Sequence, residues 1–576
     1  MNLNNKIIFE KGKIVKHQKN DKTINTKNVN YKINSCQQYG CILENLKQKR
    51  IINLNLFSPS KECLDIRFNF YNKLSKSKFE IQPNLTSKQL HEMKRFLREK
   101  PFSVIQCDKN IGMAIISNDL LDSLCVSHLS DIKIYVKLDS NPINDTIISL
   151  RNILHELQKE KQLKISLNSL IPKNPQIGKF RILAKLHKDK FGVRPIINNT
   201  NHVTSQLCKL IDLIIQPILR NTETYLKDSQ HLLQKCNNLN VSCEKLYLYS
   251  MDFESLYTNI IKTDAVNLIT DFVKNFLDSN YLTTYAFYVI LNLIFDYNVF
   301  TYKHSKLSHI YYKQINGLAM GCICGPSVAS LFVYVLENKW LCIHKPLFYS
   351  RFIDDIILFT VSKIHEEDFK SNFLNLKLNI IEAKTINFLD LNISFDTCTK
   401  KINFSLFIKP TNTFCYLHVN SNHLDFIFRN IPKSLFIRIR RICTKYTDYL
   451  YFSRKLIVQL LNRGYNFSKL ISLAISIGNI DRNILLPYKN KVSFNEHNKS
   501  IFFGTEFNKQ FGNLNQIVSE SFNMIVHNHS LLNNYKLKLF NSMAKNIFSL
   551  FVHNKNNFNN FYKNTSACCF LICKIC

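Results

Sequence analysis

The sequence is poor in glycine, proline and acidic residues, and each shortage narrows the class of protein. Its 576 residues include only 12 Gly and 13 Pro, which excludes collagen-like and low-complexity scaffolds. Asp and Glu total 42 against 76 Lys and Arg, so the formal net charge is +34. Such an excess repels itself unless a polyanion offsets it. Nucleic acid is therefore the leading expected partner, and an anionic membrane is the second.

The composition is nevertheless that of a folded chain. With 45% hydrophobic and 12% aromatic residues, the chain can bury a core, and at ~150 residues per domain it predicts three or four domains. Asn, Lys, Ile and Phe are over-used, as an AT-rich coding sequence would also produce. Part of the positive charge therefore has an alternative origin in nucleotide composition.

Signals for secretion and membrane insertion are weak. The start, MNLNNKIIFEKGKIVKH, has no apolar region, so no secretory signal is expected. The 18 scattered Cys are typical of buried or free thiols in a reducing compartment. One uncharged run, 317–336, reaches the length of a membrane span. Three glycines and Pro326 interrupt its first half, which favours a loop followed by a buried helix from about Ser327.

Composition and periodicity predict an α+β protein made of five segments with no internal repeat. These are a basic N-terminal extension (1–95), a mixed segment (96–240), a sheet-rich segment (241–400), a helical basic segment (401–480) and a polar C-terminal extension (481–576). A helix is expected from Ser87 to Leu97, where apolar residues follow a Ser at helical spacing.

An Asp pair is the strongest local signal. FYSRFIDDIILFT, Phe348 to Thr360, predicts a β-hairpin with Asp354 and Asp355 at its turn. Carboxylates this close raise each other's pKa unless a cation offsets them, and all-oxygen ligation favours Mg²⁺ or Mn²⁺. The alternative is a solvated Asp-Asp turn without a metal.

A third acid, Asp252, follows the apolar alternating run of LYLYSMDFESLYTNI. A charge at the end of a buried strand must be paired or metal-bound. Together with the hairpin, Asp252 would complete the minimum set for two-metal phosphoryl transfer. The alternative is that Asp252 caps a helix beginning near Glu254.

These segments occur in an order that resembles the palm of a reverse transcriptase: RPII, DFESLYTNI, GLAMGCICGPSVASL, FIDD and KTINFLDLNI. Further segments resemble the Penelope-like retroelement branch, whose relatives include telomerase reverse transcriptase: CDKNIGMAIIS (107–117), NFLDLNIS (387–394) and KPTNTFCYLHVNSNH (409–423). The resemblance extends from about 100 to 510.

The resemblance implies a right-hand polymerase with fingers (96–240), a palm with an antiparallel sheet (241–400) and a helical thumb (401–480). It also implies an RNA-directed DNA polymerase that uses an RNA template, a DNA primer and dNTPs with two Mg²⁺ ions. A nuclear location, at chromatin or telomeric DNA, is the corresponding expectation.

The same resemblance assigns roles to palm residues. Asp252 and Asp354 correspond to metal ligands, with the Phe253 carbonyl as a further ligand, and Asp355 to their accompanying acid. Tyr257 resembles the steric gate that rejects a ribose 2′-OH, with ordinary core packing as the alternative. Lys384 resembles the lysine that protonates departing pyrophosphate, with a plain surface lysine as the alternative.

The resemblance implies that the fingers bind the triphosphate and the template through four cations. The alternative is that these cations are ordinary solvated surface residues, which is a stronger alternative for Lys188 and Lys190 than for Arg181 and Arg194. The four are Lys179, Arg181, Lys185 and Arg194. The pair Asp108-Lys109 is expected to give structural support.

A glycine-containing loop is implied to lie beneath the templating base pair, where glycines allow close backbone approach to nucleic acid. Its residues are Gly317, Met320 and Gly321. Where the family usually continues with a Ser-Pro pair, this sequence has the stretch from Cys322 to Ser327.

The thumb is implied to hold the template–primer duplex through cations spaced to follow a phosphate backbone, and its helices favour a helix-turn-helix assignment. The cations are Arg429, Lys433, Arg438, Arg440 and Arg441. An ordinary solvated helix is the alternative.

The last residues, CCFLICKIC, bring Cys568, Cys569, Cys573 and Cys576 together, but their spacing is too short for a zinc cage. No GIY-YIG endonuclease motif, common in Penelope-like proteins, is recognisable. Two other functions remain as alternatives: a degenerate copy that binds nucleic acid without catalysis, and a membrane-associated basic protein.

Overall fold

The computed structural model describes residues 31–33, 86–99, 101–110, 112–186, 191–237, 239, 241–307, 309–488, 499–506, 514–528 and 535–542. Most of the predicted basic extension, Lys188, Lys190 and the terminal cysteine cluster lie outside the described residues. The expected helix at Ser87 forms.

Helices and strands alternate through most of the described chain. The helices are α1 (Ser87–Glu99), α2 (Asn118–Leu129), α3 (Ile143–Lys159), α4 (Leu167–Leu170), α5 (Ser205–Arg220), α6 (Ser229–Asn237), α7 (Leu256–Asn259), α8 (Lys262–Val273), α9 (Thr284–Asp296), α10 (Gly325–His344), α11 (Glu366–Ser371), α12 (Asp425–Ile442), α13 (Tyr446–Leu461), α14 (Phe467–Gly478), α15 (Arg482–Leu485) and α16 (Leu514–Asn528). The strands are β1 (Tyr31–Ile33), β2 (Phe102–Gln106), β3 (Met113–Ser117), β4 (Tyr135–Leu138), β5 (Gly178–Lys185), β6 (Gly192–Asn198), β7 (Tyr247–Phe253), β8 (Val299–Lys303), β9 (His309–Gln314), β10 (Phe348–Phe352), β11 (Asp355–Thr360), β12 (Leu378–Glu382), β13 (Thr385–Phe388), β14 (Leu391–Asp396), β15 (Lys401–Leu406), β16 (Lys499–Glu506) and β17 (Tyr535–Ser542).

The predicted palm is a four-stranded antiparallel sheet in the order β10-β11-β7-β12. Successive side chains of a strand point to opposite faces. Ile356 and Leu358 belong to a core that includes helices α5, α8, α9 and α10. Ile357 and Phe359 belong to a second core with β13–β15 and α12–α14. Burial of both faces explains why β11 is continuously apolar rather than alternating.

A second, five-stranded sheet has the order β4-β9-β8-β5-β6 and corresponds to the predicted fingers. Strands β5 and β6 form the antiparallel pair expected from the basic segment. Strands β8 and β9, however, come from the segment predicted as palm, and β8 pairs in parallel with the start of β5. The expected division at residue 240 is therefore crossed by this sheet.

The predicted thumb consists of α12, α13 and α14, which pack on one another and on β15. Phe436 and Leu460 are fully buried between them. The Tyr449 hydroxyl donates to the Ala474 carbonyl at 2.6 Å, which ties α13 to α14. This bundle covers the palm face opposite to α10.

The uncharged run 317–336 forms a loop followed by α10, as expected. Among the described helices, none combines the length and the apolar character that crossing a membrane requires. The described cysteines are free thiols, several of them buried.

Candidate active site

The Asp pair lies in the predicted hairpin. Strands β10 and β11 pair in antiparallel register with Phe352 opposite Asp355, so that Asp354 lies in the turn. On the other edge of β11, Asp355 is opposite Asp252 of β7. The Phe253 amide donates to the Asp354 carbonyl at 3.2 Å. The register therefore brings together the three carboxylates that the sequence singled out.

Asp252 lies within β7, and the following helix, α7, begins only at Leu256 with Ser255 as its N-cap. This excludes the alternative in which Asp252 caps a helix at Glu254. Its side chain is exposed on the open face, where Asn379 of β12 donates to its carboxylate at 3.4 Å.

The turn carboxylates are partly buried, and their ionisation is costly. Burial and the charge of Asp252 raise the pKa of Asp354, which Arg194 opposes. Burial and the charge of Asp354 raise the pKa of Asp355 to about 6, which Lys409 opposes. A fully solvated turn would not produce these shifts.

This donor set fits a divalent cation, because oxygen ligands with unfavourable mutual repulsion gain most when a cation neutralises them. Asp252 and Asp354 would hold it, and the Phe253 carbonyl belongs to the same strand end. Mg²⁺ and Mn²⁺ both prefer oxygen ligands, so this donor set suits either ion.

Behind the turn lies a buried ion pair that the sequence reading did not identify. Arg351 of β10 and Glu337 of α10 are 5% and 1% exposed. Arg351 Nε donates to a Glu337 carboxylate oxygen at 2.7 Å, and its Nη1 donates to the Ile353 carbonyl at 2.8 Å. Tyr349 also donates to Glu337, at 2.8 Å. The guanidinium thus connects α10 to the turn that carries Asp354.

The turn itself is conformationally strained. Ile353 has a φ of 56°, in the left-handed region that β-branched residues rarely adopt. Such a conformation persists only where the surroundings fix it. The Arg351 bond to the Ile353 carbonyl is one contact that does so.

Tyr257 lies next to these acids. It is partly buried against the palm core, and burial with the nearby charge of Asp354 raises its pKa to about 12. A Cβ on Gly325 would lie 3.6 Å from the Tyr257 ring. Tyr257 therefore packs against the core, as the alternative to a steric gate expects, and also lies close to the carboxylates.

The glycines of the 317–326 loop approach protein backbone closely. A Cβ on Gly317 would lie 2.5 Å from the Tyr257 carbonyl, and one on Gly321 would lie 2.0 Å from the Ile197 carbonyl. Their φ angles are 72° and 123°. The close approach that these glycines were expected to allow toward nucleic acid is thus made within the protein. The Ile197 amide donates to the Met320 carbonyl at 2.8 Å, which joins the loop to the fingers.

The four fingers cations share one face of the β5–β6 pair, because directly opposed residues point the same way. In register, Lys179, Arg181 and Lys185 are opposite Asn198, Ile196 and Gly192, and Arg194 is opposite Leu183. Lys179 and Arg181 are exposed.

Arg194 is held by a buried acid. It forms an ion pair with Asp108 at 3.1 Å, and Asp108 is only 3% exposed. This agrees with structural support for the Asp108-Lys109 pair. Asp108 therefore fixes a cation whose charge also lowers the pKa of Asp354.

Two lysines flank the site differently. Lys384 is exposed in the connection between β12 and β13, and no described contact joins it to the acids. Lys409 follows β15 and its charge acts on Asp355. Lys409 belongs to the KPTNTF segment. Its proximity to Asp355 depends on how the chain reverses direction between them, which the sequence separation of the two residues does not predict.

The thumb cations separate into two groups. Arg429 and Lys433 are exposed on α12. Arg438 pairs with Asp390 at 2.6 Å, Arg440 donates to the Gly478 carbonyl at 3.2 Å, and Arg441 donates to the Leu485 carbonyl at 2.9 Å. The guanidinium groups of these three arginines therefore bond to protein groups, whereas Arg429 and Lys433 have exposed side chains, and a role of all five in binding phosphates stays a prediction.

A cavity of about 550 Å³ lies between α12, α13 and residues 406–416. Lys109, Lys409 and Lys455 line it. One of these lysines, Lys409, is also the cation whose charge acts on Asp355.

The sequence matches two family profiles. Residues 186–417 match "Reverse transcriptase (RNA-dependent DNA polymerase)", a span that contains the acids, Tyr257 and the 317–326 loop. Residues 186–417 form a reverse transcriptase domain. Residues 415–476 match "Animal helix-turn-helix domain", which agrees with the helix-turn-helix expected in the thumb.

The reverse transcriptase domain, the palm sheet and the helical thumb together make the architecture that of a right-hand polymerase, and the domain is that of an RNA-directed DNA polymerase, a nucleotidyltransferase. Among curated proteins, none matches the sequence.

Solved structures similar to the chain include telomerases and a viral polymerase, all with TM-scores below 0.5. Truncated apo telomerase from Candida tropicalis has 12% identity and a TM-score of 0.38, covering 54% of this chain and 64% of that one. Candida albicans telomerase, solved with a fragment of telomeric RNA, has 12% identity and a TM-score of 0.47, covering 77% and 75%. The Sicinivirus RNA-dependent RNA polymerase has 12% identity and a TM-score of 0.35, covering 71% and 88%.

Proposed function

We propose that the protein is the RNA-directed DNA polymerase of a Penelope-like retroelement, which extends a DNA primer on an RNA template with dNTPs. The observation that carries this proposal is the register of β7 against the β10–β11 hairpin, which places Asp252 beside Asp354 and Asp355. The Penelope-like assignment is supported by the segments 107–117 and 409–423, which supply Asp108 and Lys409 to the surroundings of the site.

The chemistry assigned to the site is nucleotidyl transfer to a primer 3′-OH. Two divalent ions, when bound, lower the pKa of the attacking hydroxyl and stabilise the transition state. Asp252 and Asp354 would hold them, while Asp355 would add charge that Lys409 partly offsets. Arg181 and Arg194 bind the triphosphate, and Tyr257 limits the room beside the sugar.

Binding of the template–primer duplex is assigned to Arg429 and Lys433 of α12, because their side chains are exposed. Lys384 is proposed to protonate the leaving pyrophosphate when the site closes on substrate. A nuclear location at chromatin or telomeric DNA completes the proposal, since a retroelement polymerase must meet the DNA into which it copies.

A degenerate, inactive copy is the competing function. The retained carboxylates of Asp252, Asp354 and Asp355, together with the retained Tyr257, favour the active enzyme over this alternative.

Primer extension on poly-rA/oligo-dT tests the function. Replacing Asp354 by Asn removes a ligand charge, so we expect dNTP incorporation to fall by several orders of magnitude, with duplex binding little changed. Asp271→Asn is the control, because this exposed palm residue pairs with Lys274 on the surface. An inactive wild-type protein, or an Asp354→Asn variant at near wild-type rate, would contradict the proposal.

A further inference from the structure

Three cysteine thiols meet beneath the 317–326 loop. Cys208 comes from α5, whereas Cys322 and Cys324 immediately precede α10. The sulfur atoms of Cys208 and Cys322 are 3.5 Å apart, those of Cys322 and Cys324 are 3.6 Å apart, and all three lie within 4.8 Å of one another. Among the described residues, no other group of three potential ligands is this compact.

The spacing of the sulfur atoms fits a thiolate metal site. Zinc binds cysteine sulfur at about 2.3 Å in tetrahedral geometry, which separates adjacent sulfurs by roughly 3.8 Å. The two measured separations are close to this edge length. They are far from a disulfide bond, whose sulfurs are about 2.05 Å apart.

The fourth side of the cluster is polar. Thr204 Oγ1 is 3.8 Å from Cys208 Sγ and 2.8 Å from His202 Nδ1. His202 Nε2 is 3.0 Å from the Val299 carbonyl, which can only accept, so Nε2 carries the proton and Nδ1 is an acceptor. The Thr204 amide donates to Nδ1 at 3.3 Å, which leaves the Thr204 hydroxyl able to donate to a Cys208 thiolate. A chain of hydrogen bonds that reaches the ligand shell is a usual companion of metal sites.

We propose that Cys208, Cys322 and Cys324 form a structural zinc site that fastens the 317–326 loop to α5. The three thiols release their protons on binding, and an exogenous ligand such as water completes the tetrahedron. The surroundings of Cys208 and Cys324 are otherwise apolar core, and the bound Zn²⁺ would offset two of the three thiolate charges.

The site also gives meaning to the departure from the family pattern. The stretch from Cys322 to Ser327, where the usual Ser-Pro pair is missing, is the stretch that supplies two thiols. The loop between them and Gly317 is joined to Tyr257 and Ile197 by backbone hydrogen bonds. A metal here would stiffen the floor of the nucleotide site without touching the catalytic acids.

Metal content of the full-length chain tests the proposal independently of polymerase activity. Cys568, Cys569, Cys573 and Cys576 are first replaced by Ser, so that the terminal cluster cannot contribute. We expect about one zinc per chain, and with Co²⁺ the tetrahedral visible bands and thiolate charge-transfer absorption of a sulfur-rich site.

In the same background, Cys208→Ser and Cys322→Ser should each lower zinc to near zero. Cys236→Ser is the matched control, since Cys236 is also buried on a helix but in the other core, and it should retain the metal. Chelation should lower the Tm of the control but not that of the Cys322→Ser variant.

Two results would overturn the proposal. One is a well-folded parent with no zinc and no thiolate–cobalt absorption after exposure to either metal. The other is a disulfide bond between Cys208 and Cys322 in the metal-free parent, seen as a loss of two titratable thiols that the Cys208→Ser variant does not show. Because neither measurement uses dNTP incorporation, failure here leaves the polymerase assignment to its own test.

Discussion

Asp355 carries a measurable part of the electrostatic cost of the site. Its neighbour Asp354 and its own burial move its pKa from 3.8 to about 6. A carboxyl with a raised pKa stabilises the folded state below its unfolded pKa and loses that contribution as pH rises through the folded value. The metal-free protein should therefore become less stable between about pH 4 and pH 6 through this residue.

Asp355→Asn isolates this contribution. In a chelator, we expect the variant and the wild type to have similar Tm values near pH 4, with the variant increasingly more stable toward pH 7. Adding Mg²⁺ at neutral pH should narrow the difference, because the cation neutralises the carboxylates only in the wild type. A Tm difference that is constant across this range would show that Asp355 is not ionised at unusual cost.

Tyr257 is the residue at which sugar selection can be tested. Tyr257→Val opens space beside Asp354 and leaves Arg181 and Arg194 unchanged. The kcat/KM for ribonucleotides should rise relative to that for deoxyribonucleotides, with a modest loss of overall rate. Tyr297→Val, which alters another tyrosine half-buried against the same core, should leave the ratio unchanged. If an active Tyr257→Val enzyme showed an unchanged ratio of kcat/KM for ribonucleotides to kcat/KM for deoxyribonucleotides, Tyr257 would have only a packing role in the core.

At the scale of elements, the β10–β11 hairpin is positioned by α10 through Arg351 and Glu337. Removing one partner leaves a buried unpaired charge, which costs about 3–5 kcal/mol, whereas apolar replacement of both is often neutral. We expect Arg351→Met to be strongly destabilised and the double variant Arg351→Met/Glu337→Leu to recover most of its stability in denaturant unfolding.

Activity should separate from stability in that double variant. The Ile353 carbonyl loses its donor, so the turn should hold Asp354 less firmly, with lower kcat and a higher Mg²⁺ requirement. Arg351→Lys keeps the charge and should show a smaller stability loss. A double variant with wild-type metal dependence would make the ion pair purely structural.

The sequence predicts the hairpin because runs rich in aromatic and β-branched residues flank Asp354 and Asp355, a pattern typical of two strands joined by a turn. It also predicts the loop before α10, since glycines and Pro326 interrupt the run. It cannot predict Glu337 as the partner of Arg351, because that contact depends on how a helix crosses a sheet. The bonds of Arg440 and Arg441 to carbonyls are likewise tertiary, and composition alone made these residues look available to phosphate.

For the whole molecule, the +34 charge predicts binding to a polyanion with strong salt dependence. Log affinity for an RNA/DNA duplex should fall linearly with log salt. Arg429→Gln and Lys433→Gln should each reduce that slope by about one. Arg440→Gln is the matched control and should lower stability while leaving the slope, because its guanidinium bonds to the Gly478 carbonyl. If the affinity did not depend on salt, the excess of Lys and Arg would be better explained by an AT-rich coding sequence than by a nucleic-acid-binding surface.

The pairing of β5 with β8 also sets the order in which the protein can fold during its synthesis. Gly178 and Lys179 of β5 pair with Phe300 and Thr301 of β8. This edge of β5 therefore stays unpaired during translation until β8 has been synthesised. Contacts this distant along a chain close slowly and leave a strand edge open meanwhile. A chain interrupted before Val299 would retain that open edge permanently, and such an edge is a template for aggregation. The fingers and the palm should therefore fold as one unit rather than as two independent domains.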